Sequence, residues 1–142
     1  MAISRTDVAL ASGITASAAT LGLLIGFGRA SADPFFALIA GGHLWLGSPV
    51  RAAWPYVVVG AIRHLLLVTP LGFAIAATPA TRAHAGWMAV AVAGVAVLVA
   101  PVLPDPLRPL ALDLSAVERV ATWIVLAGGL TLGARIAPER TP

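Results

Sequence analysis

Four stretches of this sequence, residues 8–28, 52–77, 86–103 and 120–134, hold a single formal charge among them, that of Arg63. A helix of about 20 apolar residues crosses the roughly 30 Å hydrocarbon core of a bilayer. No water is present there to satisfy backbone N–H and C=O groups, so such a segment must be helical. Composition points the same way. Charged residues are 11% of the 142, hydrophobic ones 59%, and the mean hydropathy is +0.94. A soluble domain carries about 25% charged residues, and fifteen charges cannot coat a water-soluble globule of this length. Most soluble enzymes and disordered regulators are excluded. The expected fold is all-α: one integral membrane domain over 1–142, a bundle of four transmembrane helices plus one short hydrophobic helix.

That short helix is expected at 34–47, opened by Asp33 as N-cap and Pro34 at the first helical position. Fourteen residues rise about 21 Å, short of the hydrocarbon thickness. Phe35, Phe36, Leu38, Ile39, Leu44 and Leu46 cover all its faces, so it is not a surface amphipathic helix. An interfacial or re-entrant placement follows. Further start signals are Ser4 with Asp7, Ser48–Pro49, and Ser115-x-x-Glu118, the last a capping box.

The net charge is +3, carried by nine arginines and no lysine. The arginines are scattered singly, whereas nucleic-acid affinity needs grouped cations over phosphates. They read instead as topology determinants and contacts to the lipid bilayer. Four spans place Arg5, Arg82, Arg135 and Arg140 on one side and Arg29, Arg51, Arg108 and Arg119 on the other, a tie. The acids crowd the second side, which leans both termini toward the cytoplasm. Arginine without lysine fits a GC-rich genome, and the expected location is a bacterial cytoplasmic membrane. Ala30-Ser31-Ala32 before Asp33 also resembles a signal-peptidase site, so cleavage of 1–32 is an alternative.

Small residues recur every fourth position at Ala18, Gly22 and Gly26, at Ala85, Ala89 and Ala93, and at Gly129 and Gly133. Helices in lipid associate by close packing, so these are the expected helix-packing faces. The segment 101–109 holds four of the eleven prolines. It is expected to be extended and stiff, and apolar enough to lie on the membrane or against a partner.

Arg63 and His64 carry the sharpest signal. An arginine near a span centre costs about 2.5–3.5 kcal/mol on insertion scales, and no Asp or Glu lies within the spans to offset it. Carbonyls near Pro70, the Thr69 hydroxyl, or a charge on another molecule are the expected partners. The three histidines, His43, His64 and His84, raise the question of haem. Bis-histidine ligation needs two imidazoles at matched depth, which leaves His43 with His64 as the conceivable pair. No cofactor is expected, with haem or another tetrapyrrole as the exception. No metal-ligand spacing, Gly-x-Ser-x-Gly motif or cysteine occurs, so catalysis is not expected. The sequence therefore suggests a non-catalytic, helix-packing accessory subunit of a larger membrane protein complex, with other subunits as partners. The alternative is a small transporter or ligand- or haem-binding membrane protein using Arg63, His64 and His43.

Overall fold

Helix α1 (Arg5–Ala30) is the post around which the other helices assemble. The computed structural model describes residues 5–30, 33–47, 53–77, 84–107 and 115–137. Along α1, Ala9, Ser12, Gly13, Ala16, Ser17, Thr20, Leu24 and Gly28 are buried. Small side chains let neighbouring backbones come close, which is how helices gain contact energy without a hydrophobic driving force. The hydroxyls of Ser12 and Ser17 have no hydrogen-bond partner among the described residues; both serve here as small residues.

The third apolar stretch forms two helices, α3 (Trp54–Val68) and α4 (Leu71–Ala77). Pro70 lacks the N–H that would continue the ladder, so the helix breaks there and restarts. Gly72 and Phe73 donate back to Thr69 and Pro70, bridging the break. Together the two helices are long and apolar enough to cross a membrane, as are α1, the stretch Ala85–Val102 beginning with α5 (Ala85–Val99), and α6 (Ala116–Ile136). The described residues thus form an all-α bundle with four such helices and one shorter apolar helix, α2 (Phe36–Leu46).

Close contacts fix the directions. Gly13 seats against the backbone of Thr69, and Gly72 seats reciprocally against Ala9, so α3–α4 runs antiparallel to α1. A second reciprocal pair, Gly42 against Tyr56 and Gly60 against Leu38, sets α2 antiparallel to α3. Helix α2 consequently points the same way as α1. The chain leaves α1, turns back, and runs outward again. Gly129 over Ala16 and Gly133 over Ser12 place α6 antiparallel to α1. Trp123 Nε1 donates to the Val90 carbonyl at 3.1 Å across the α5–α6 seam. The start of α1 and the end of α6 share one end of the bundle; the start of α3 and the segment after α5 share the other, the far end.

Two expected caps differ from the structure. Helix α2 starts at Phe36, not Pro34; the Asp33 carboxylate accepts the Phe35 N–H at 3.0 Å in a local turn. Asp33 therefore shapes the return from α1, where its N–H reaches the Gly28 carbonyl, and does not cap the helix. The Ser115–Glu118 box is present in both directions, and it starts α6 at Ala116, four residues before the apolar run. Ser4 and Ser48–Pro49 lie outside the described residues.

The segment 101–107 is not extended. It forms two 3-10 turns, Ala100–Val102 and Asp105–Leu107, closed by Leu103 N–H to Ala100 O and Leu107 N–H to Pro104 O. Pro101 and Pro106 occupy first-turn positions, where a missing N–H costs nothing and a φ near −65° already suits a 3-10 turn.

Candidate functional site

Arg63 and His64 project from the middle of the α3–α4 span into the bundle, 1% and 2% exposed. Helical side chains lean toward their own N-terminus, which for Arg63 is the far end, where the proline-rich turns lie. Arg63 Nη2 donates to the main-chain oxygen of Asp105 at 2.9 Å, and the Asp105 charge attracts the guanidinium. Trp45 of α2 holds the same turn, its Nε1 donating to the Pro106 carbonyl at 3.0 Å. Residues 100–107 thus form a strap drawn onto α2 and α3.

The Asp105 carbonyl is a partner beyond those expected for Arg63: a loop 42 residues downstream folds onto the charge. No helical spacing relates positions 63 and 105, so periodicity could not reveal the pair. The available signal was a lone acid between two prolines in an otherwise apolar loop.

His64 points to α1. Its Nε2 lies 2.8 Å from Thr20 Oγ1, and that hydroxyl donates to the Ala16 carbonyl at 2.8 Å. A hydroxyl has one proton, so with it directed at Ala16 the imidazole Nε2–H is the donor to Thr20. Beside them lies a void of about 20 Å³, adjoining Thr20, His64, Thr122 and Leu126. Its volume is about that of one water.

The three histidines are in separate environments. His43 stacks on Tyr56, ring centroids 3.8 Å apart and planes 20° from parallel. His64 sits eight positions further along α3 than Tyr56, about 12 Å of helical rise, and faces α1. His84 is exposed at the start of α5. Among the described residues no group of three His, Asp or Glu is placed to hold a metal ion.

Gly129 and Gly133 pack on Ala16 and Ser12, and Ala85, Ala89 and Ala93 line the core. Ala18, Gly22 and Gly26 do not meet another helix among the described residues. They face outward, and a Cβ added at Gly22 or Gly26 would touch nothing. The α1 positions that do pack are offset from this stripe. Four-residue spacing marks a stripe without saying which of several on one helix is used, since α1 carries small residues on more than one face.

The fold and this centre define a class: an α-helical bundle built to cross a membrane, with a buried arginine–histidine pair engaged by its own chain. No family model, curated protein or solved structure matches it.

Proposed function

We propose that this chain is a non-catalytic integral membrane protein that serves as a helix-packing accessory subunit of a larger membrane assembly. The observation supporting this reading is the outward stripe of α1. Ile14, Ala18, Gly22 and Gly26 lie on its exposed face while its other faces are occupied by α2, α3, α4 and α6. Glycine in a helix interior costs about 1 kcal/mol relative to alanine, and lipid chains give nothing back. Close approach of a second helix does. The reading no longer draws on Arg63, whose charge is engaged by Asp105. The proposed setting is a bacterial cytoplasmic membrane, with the start of α1 and the end of α6 on the cytoplasmic side.

The rival, a small transporter or a ligand- or haem-binding protein centred on Arg63, His64 and His43, gains less from the geometry. Arg63 and His64 face partners within the chain, and the void beside them is about one water in size.

The chain has no cysteine, so Ala18→Cys and Leu132→Cys each carry a single thiol, on α1 and on exposed α6. The test is thiol crosslinking in native membranes followed by mild-detergent purification. A discrete crosslinked membrane protein from Ala18→Cys and none from Leu132→Cys supports the reading, as does loss of that partner in Gly22→Leu. A chain that purifies alone, with no product from Ala18→Cys, overturns it.

A further inference from the structure

Between α5 and α6, on the outside of the bundle, runs a groove of about 640 Å³, within the range of small-molecule sites. Its floor is smooth because Gly86 and Gly128 contribute no side chain there; a Cβ on Gly128 would meet nothing. Trp123 bounds it at depth and Trp87 at the mouth, the latter 78% exposed. From Arg135 to Trp123 is twelve residues of α6, about 18 Å, close to the roughly 15 Å depth of one leaflet's hydrocarbon.

The polar groups along it are already paired. Trp123 Nε1 donates to Val90, and the Thr131 hydroxyl donates to the Ala127 carbonyl at 2.8 Å. Arg135 and the exposed Trp87 indole are the exceptions. Arg135 lines the groove in the last turn of α6 with no ion pair or hydrogen bond among the described residues. Its side chain leans toward the α6 N-terminus, over the groove. An apolar channel one leaflet deep, with a tryptophan and an arginine at its mouth, presents the complement of a lipid: hydrocarbon below, anion above.

We propose that this groove is a binding site for one anionic glycerophospholipid of the bilayer, with an acyl chain lying along Gly128 and Trp123 and its phosphate on Arg135. A second outer groove, about 490 Å³ between α3–α4 and α5, is lined by aliphatic residues alone, among them Leu67, Val95 and Leu107. It lacks a cation to select a headgroup. The site is on the opposite side of α6 from the α1 contact, so it does not depend on the subunit reading above.

Native mass spectrometry of the full chain tests it, with the protein released from nanodiscs containing equal phosphatidylglycerol and phosphatidylcholine of the same acyl chains. The wild type should retain one lipid, with phosphatidylglycerol favoured roughly fivefold, the discrimination a single interfacial cation provides. Arg135→Gln should bring the two lipids to parity while retention persists. Gly128→Leu fills the floor and should abolish retention of both, with the melting temperature confirming an intact bundle. Arg29→Gln, at the other end, should change neither. Equal retention of the two lipids by the wild type overturns the proposal. So does a headgroup preference that survives Arg135→Gln, or retention unaffected by Gly128→Leu.

Discussion

Arg63 and Asp105 are joined through the main chain of the acid: the guanidinium donates to the Asp105 carbonyl oxygen, 2.9 Å away, with the carboxylate adding charge. This division predicts an unequal pair of mutants. Arg63→Met removes the donor to the strap, and a hydrogen bond to a charged group is worth about 1.5–3 kcal/mol. Amide exchange at Asp105 and Leu107 should then rise about tenfold or more, since 1.4 kcal/mol is a factor of ten, while helicity is retained. Asp105→Asn keeps the carbonyl and loses the charge, so its exchange should rise by several-fold less. Equal effects would show that the carboxylate, not the carbonyl, holds the strap.

His64 and Thr20 tie the α3–α4 span to the central helix. Interhelical side-chain hydrogen bonds in membranes average about 0.6 kcal/mol, with a maximum near 1.7. Thr20→Val keeps the shape and strands a buried imidazole N–H, so the loss should fall toward the upper end of that range. Thr20→Ser should retain most of the stability. Adding His64→Leu to Thr20→Val removes the stranded group, and the double variant should be less destabilised than the sum of the singles. Denaturant titration in detergent measures all four; strict additivity would mean the two side chains are uncoupled.

What the sequence made legible was governed by local rules. Apolar runs long enough for a bilayer located the spans, and Ser115 with Glu118 marked the start of α6 because a capping box is closed within four residues. The direction of α2 was not legible. It depends on Gly42 and Gly60 finding Tyr56 and Leu38, a tertiary match with no periodic trace. The engagement of Arg63 was hidden for the same reason, since Asp105 lies in a loop beyond another helix. Which stripe of α1 packs within the chain was not legible either: Ala18, Gly22 and Gly26 match the packing pattern as well as Ala9, Gly13 and Ser17 do, and only the neighbours decide between them.

That ambiguity gives the two glycine stripes opposite signs on substitution. A Cβ at Gly13 or Gly60 would overlap the backbone of Thr69 or Leu38, forcing helices apart at about 1–3 kcal/mol. At Gly22 it would meet nothing, and alanine should stabilise the isolated chain by up to about 1 kcal/mol through helix propensity. Thermal unfolding of Gly13→Ala, Gly60→Ala and Gly22→Ala in one detergent checks this. Destabilisation by Gly22→Ala would place that face inside the bundle.

The start of α6 supplies the last expectation. Ser115 Oγ accepts the Glu118 N–H at 3.4 Å while the Glu118 carboxylate accepts the Ser115 N–H at 2.8 Å, two orphan donors satisfied at the exposed mouth of the span. Loss of an N-cap side chain costs typically about 1 kcal/mol. The first turn of α6 precedes the apolar run at 120–134, so it has little packing to fall back on: Val117 and Val120 are exposed. Ser115→Ala should therefore fray residues 116–119 and leave the rest of the helix, anchored by Gly129 and Gly133 on α1, intact. Residue-resolved amide exchange reads this directly, with faster exchange at 118–119 and unchanged protection from 126 onward. Ser115→Asp restores an acceptor at the cap but sets a second carboxylate beside Glu118, so its protection should fall between serine and alanine. Fraying that spreads past Leu126 would mean that the cap, and not the seam with α1, carries the stability of α6.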